Sequence, residues 1–140
     1  NGAETTDKVS IFLAVNGDLP HAFVQALLAL GFRPIALSGA PQQKVVDMAI
    51  QRTLEALVER PGDVMLASHD GDFVAHLERI CDGRRVAAVG FPEFRNRGFL
   101  TLASRGLEFF DLEQDVKAFN VRLPRVRIIP IDEFDPLEFL

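Results

Sequence analysis

Five short apolar runs begin near Val9, Phe32, Val64, Val86 and Leu107, and each pair is separated by enough chain to hold a helix. Runs this short, rich in Val, Ile, Leu, Phe and Ala, read as buried strands. Parallel neighbours cannot be joined by a tight turn, so a helix between successive strands implies a parallel sheet. The spacing therefore predicts an α/β domain, a parallel sheet with helices on both faces.

The punctuation between the runs agrees. Val9–Val15 is the first predicted strand, and Asn16, Gly17 and Asp18 make a turn from which Asp18 is placed to cap a helix opened by Pro20. That helix carries Phe23, Leu27 and Leu30 on one face and stops at Gly31. Phe32–Leu37 is the second strand. A long helix is expected from Gln42 to Glu59, closed by Pro61 and Gly62. Val64–Ala67 is wholly apolar, which predicts a central strand covered on both faces. A helix over Gly71–Ile80, a strand over Val86–Val89, a short helix over Phe99–Ser104 and a strand over Leu107–Phe110 complete the pattern. Val126–Ile131 reads as one more extended segment. Asn1–Lys8 is polar and expected to fray, leaving 9–140 as a single domain.

Composition narrows the function classes. A net charge of -5 argues against broad electrostatic gripping of nucleic acid, though a local basic patch is compatible with it. Twelve Phe with no Tyr and no Trp point to aromatics used as core rather than as stacking platforms. The lone Cys81 excludes an internal disulfide framework and suits a cytoplasmic setting. No apolar run reaches the roughly 20 residues of a membrane span. Neither GxxxxGK[ST] nor GxGxxG occurs, so nucleotide-cofactor chemistry lacks its motifs.

Ligands of open parallel sheets bind at the carboxyl ends of strands. After the third strand comes Ser68-His69-Asp70-Gly71-Asp72-Phe73, two carboxylates flanking a glycine at a strand-to-helix turn. They either cap the helix or face a ligand. Asp47 lies three, seven and ten residues before Ile50, Leu54 and Leu57, on the core-facing stripe of the long helix. A carboxylate there needs a partner. Lys44, three residues earlier, is one candidate; a divalent metal shared with Asp70 and Asp72 is the other. Hard oxygen ligands of this kind suit Mg²⁺ or Mn²⁺. Arg95 and Arg97 either hold a phosphate backbone or form surface pairs with Glu93, and Arg122, Arg125 and Arg127 make a second basic strip. His69 is either a proton carrier or a variable loop residue.

The segment Val64-Met65-Leu66-Ala67-Ser68-His69-Asp70-Gly71-Asp72-Phe73 resembles the apolar strand and Ser-Gly-Asp-Gly-Asp-Phe element of the NYN branch of the PIN-like nuclease superfamily, with His69 in the place of a glycine. Gly83–Phe91 is similar to that family's next strand. Lys44-Val45-Val46-Asp47 resembles its Lys-Gly-Val-Asp helix start, with Val45 in the glycine position. The likeness covers roughly residues 30 to 111. It implies a three-layer PIN-like fold and a metal-dependent endoribonuclease acting on single-stranded RNA. It also implies that Asp47, Asp70 and Asp72 are the catalytic metal-binding acids and that Ser68 and Lys44 stand near them.

Two departures accompany it. The family's first strand ends in Asp, closely followed by Asn. If Val9–Val15 were that strand, Ala14 would stand at the acid position, with Asn16 or Asp18 as substitutes. Alternatively the helix ending at Gly31 matches the one before the family's Gly-Phe strand, in which case the family's first strand and helix would be absent from this chain. Thr53 also stands where the family often has a further acid. The alternative function is then a catalytically inactive module that binds RNA or protein. A sheet lacking a strand also has an open edge, which predicts a homo-oligomer or a protein partner.

Overall fold

Strand β1 (Ser10–Ala14) leads through helix α1 (His21–Ala29) to β2 (Arg33–Leu37), and α2 (Val45–Leu57) leads to β3 (Val64–Ala67). A 3-10 turn, Gly71–Phe73, runs into α3 (Val74–Ile80), and β4 (Val86–Gly90) follows. Two further 3-10 segments, Pro92–Phe94 and Arg97–Arg105, precede β5 (Glu108–Asp111). The structure is a computed structural model that describes residues 9–15, 18–121, 123 and 128–140. Asn16, Arg122, Arg125 and Arg127, and the start of the extended segment expected over Val126–Ile131, lie outside the described residues. Its end forms no strand, and a 3-10 turn begins at Ile131.

Among the described residues all strand pairing is parallel, in keeping with an α/β chain, but the strands form two sheets rather than one. β1 pairs with β2, Ser10 opposite Arg33 through Ala14 opposite Leu37. β3 pairs with β4, and β4 with β5, with Ala67 opposite Val89 and Gly90 opposite Asp111. The five expected strands are therefore present, and the expectation of one continuous sheet is corrected. One helix spans the division: α2 packs against β1 and α3, and sends Leu54 into the core of the three-stranded sheet.

That core lies on one side of the sheet. Leu54, Phe73, Leu77, Ile80, Val86, Ala88, Phe99, Leu102 and Leu107 form one buried cluster, with Val64, Leu66 and Phe109 packed on it. β3 alternates accordingly. Val64 and Leu66 face the core, whereas Ala67 is exposed and Met65 keeps 59% of its surface in solvent. β3 is thus an edge strand covered on one face, not the doubly covered central strand its composition predicts. Met65, Ala87 and Phe110 instead help line an open hollow of about 310 Å³.

Helix ends also depart from expectation. Pro20, not Asp18, occupies the N-cap of α1, and no side chain caps it. Leu27 is buried, but Phe23 and Leu30 are exposed, so the expected apolar face of α1 is largely uncovered. Gly31 closes the helix with φ 87°, a left-handed conformation that a glycine adopts without strain. The tail 131–140 is exposed throughout.

Candidate functional site

β3, β4 and β5 run parallel within one sheet, so their carboxyl ends share an edge. The residues just beyond them are Ser68 to Asp72, Phe91 and Leu112. Ser68 Oγ accepts the Asp70 backbone N–H at 3.1 Å, and Asp70 Oδ1 accepts the Asp72 N–H at 2.8 Å. Asp70 therefore caps the 3-10 turn, one of the two roles the sequence leaves open for it. Both Asp70 and Asp72 remain exposed.

Three elements are tied together at this turn. The Asn96 N–H donates to the His69 carbonyl at 3.0 Å, and Asn96 Oδ1 accepts from Gly98 N at 2.8 Å to cap the segment Arg97–Arg105. The Phe91 N–H donates to His69 Nε2 at 2.7 Å. A Cβ on Gly71 would meet the Asn96 side chain at 2.6 Å, so this glycine permits close approach as well as the turn. His69 is accordingly a structural link between the ends of β3 and β4.

Asp47 sits half-buried in the first turn of α2, and Lys44 is exposed at the N-cap of that helix. Among the described residues no ion pair or hydrogen bond joins them, so Lys44 is not the clamp for Asp47. Arg95 turns its guanidinium over the Phe109 ring, 4.6 Å from the centroid, with Nε and Nη2 buried and without a hydrogen-bond partner. Arg97 is exposed at the start of its 3-10 segment.

Composition concealed two features of this edge. Asp111, at the end of β5, uses Oδ1 to accept the Glu113 and Gln114 N–H groups at 2.8 and 3.3 Å. The second feature is an aromatic group. Phe91 and Phe94 meet edge to face at 6.0 Å, His69 meets Phe94 likewise at 5.9 Å, and Phe119 stacks on Phe91 at 6.0 Å and 27°. Phe94 is 66% exposed and Phe119 41% exposed. The expectation that the aromatics serve as core holds for Phe73 and Phe99, which are buried, and fails here.

Among the described residues, no three His, Cys, Asp or Glu side chains come together as a group able to hold a metal ion. Asp70 and Asp72 supply two carboxylates, one of them engaged in capping. No helix among them is long and apolar enough to cross a membrane.

No protein-family model matches this chain, and no curated protein sequence does. A crystal structure of a protein of unknown function from Vibrio parahaemolyticus is similar in fold, with a TM-score of 0.59 at 19% sequence identity. The similarity covers 78% of this chain and 70% of that one.

Proposed function

We propose that this chain is an NYN-like module that binds single-stranded RNA at the shared carboxyl edge of β3, β4 and β5. The observation that carries this reading is the Ser68–Asp72 turn, with Asp70 and Asp72 exposed, at the end of a parallel strand, where ligands of such sheets bind. Its similarity to the Ser-Gly-Asp-Gly-Asp-Phe element supplies the substrate class. Ser68 Oγ, the backbone of the turn, and Arg97 are the polar groups available to a phosphate or ribose.

A second reading, hydrolysis of the RNA with Mg²⁺ or Mn²⁺ at Asp47, Asp70 and Asp72, has its own support. Asp70 and Asp72 are both exposed, and Asp47 is half-buried without an ion-pair partner among the described residues. Binding is the function proposed, because the exposed acids of the turn at the strand end support it without requiring the three acids to meet.

The two readings separate in one experiment. Melting is followed with Mn²⁺ and with chelator, and a labelled single-stranded RNA is incubated with the protein under both conditions. Binding to the native state must raise Tm. The module reading expects RNA-dependent stabilisation, no Mn²⁺ shift and intact RNA. A Mn²⁺ shift with cleavage abolished by Asp70→Asn would establish the nuclease instead, and no RNA effect of any kind would remove both.

The open edges also bear on partners. Among the described residues β1 pairs only with β2 and β3 only with β4, and exposed strand edges are normally paired or covered. A second copy or a protein partner covering the β3 edge is the corresponding proposal.

A further inference from the structure

We infer that Phe94 and Phe119, braced by Phe91 and His69, form a platform on which unpaired nucleobases stack, so that the site reads bases rather than gripping phosphates. This rests on the RNA reading above and names which part of the RNA the edge holds.

Four observations converge. The rings lie in the loops that follow β3, β4 and β5, beside the Ser68–Asp72 turn. They contact one another edge to face or stacked, the arrangements aromatic pairs prefer, which holds the group together without burying it. Solvent reaches most of Phe94 and much of Phe119. His69, the inner member, is fixed by the Phe91 N–H, so the platform is tied to the strand ends rather than carried on a free loop.

Electrostatics point the same way. The chain is net negative, and Asp70, Asp72 and Asp111 lie on this edge. One of its arginines, Arg95, is turned onto Phe109 with two nitrogens buried. Phosphate attraction, which dominates most nucleic-acid binding, is therefore weak here. Stacking is independent of charge and tolerant of sequence, because every base has a π-face. A polar hollow lined by Glu113, Gln114, Phe119, Asn120 and Val121 adjoins the platform, and the exposed Asn120 amide there can meet a base edge.

Fluorescence polarisation in chelator, with labelled oligouridylate and an abasic oligomer of equal length and charge, tests this. The base-containing strand is expected to bind at least about five-fold more tightly than the abasic one. Its log–log salt slope should be shallower than about -2, the value for some three phosphate contacts. Phe94→Ala and Phe119→Ala should each weaken oligouridylate binding by about five-fold or more and leave abasic binding unchanged. Phe94→Leu, which keeps apolar bulk without a π-face, should not restore it. Unchanged melting of the variants would show that folding is intact, and Phe94 and Phe119 are exposed enough for this check to succeed. Equal binding of both strands, a steep salt slope, or rescue by Phe94→Leu would overturn the platform while leaving RNA binding in place. Absence of binding to either strand would overturn both readings.

Discussion

At the scale of single residues, the edge is held by close approaches that depend on glycine. A Cβ added at Gly90 would run into the His69 imidazole, the same ring that accepts the Phe91 N–H. Gly90→Ala should therefore push His69 aside, break that hydrogen bond and cost about 1–3 kcal/mol. Chemical denaturation would measure the loss. Wild-type stability in Gly90→Ala would mean that His69 is not tied to β4. Capping by Asp70 was legible beforehand, because an Asp two residues ahead of a helical N–H is a local arrangement. The His69 link was not legible, because its partner lies 22 residues away on another strand. The role of Gly71 was legible only in part, since the turn is local but the Asn96 side chain that needs the space is not.

At the scale of elements, α2 is anchored at its end by a residue from a distant loop. The Arg84 guanidinium donates to the Leu57 and Arg60 carbonyls at 2.8 Å each, and to both carboxylate oxygens of Asp82 at 2.9 Å. Terminal carbonyls of a helix lack internal partners, so a fixed guanidinium there closes α2. Arg84→Ala is expected to lower Tm by about 5 °C, and an unchanged Tm would show that the cap is dispensable. Its hydrogen bonds also hold the Asp82 carboxyl below the usual range. A carboxyl depressed in the folded state stabilises above its unfolded value and loses that contribution as pH falls. The acid-side loss should be smaller in Arg84→Ala than in the wild type.

The order of strands and helices was readable from the spacing of apolar runs. The division into two sheets was not, because strand pairing is a tertiary choice that each run leaves open. β3 illustrates the point: Met and Ala alternating with Val and Leu fit a doubly buried strand as well as an edge strand whose Met65 faces solvent.

At the scale of the whole molecule, apolar surface is left open in several places. Met65 on β3, Phe23 and Leu28 on α1, and the tail residues Ile131, Leu137 and Leu140 are all exposed. Patches of this kind usually mark contact surfaces. If β3 takes a second copy, light scattering should find a dimer that Met65→Lys converts to monomer with little change in monomer stability. A monodisperse wild-type monomer would remove the homo-oligomer and leave only a different partner. Tertiary placement also explains the aromatic group. Phe91, Phe94 and Phe119 are ordinary core residues by type, and only the meeting of three loops puts them outside the core.

The account as a whole depends on RNA lying across the ends of β3, β4 and β5. Photocrosslinking with a single-stranded 4-thiouridine oligomer, followed by mapping of the modified peptides, tests this directly. Adducts are expected on the peptides that carry His69, Phe91, Phe94 and Phe119. Adducts confined to α1 and β2, or the absence of any adduct at saturating RNA, would contradict it.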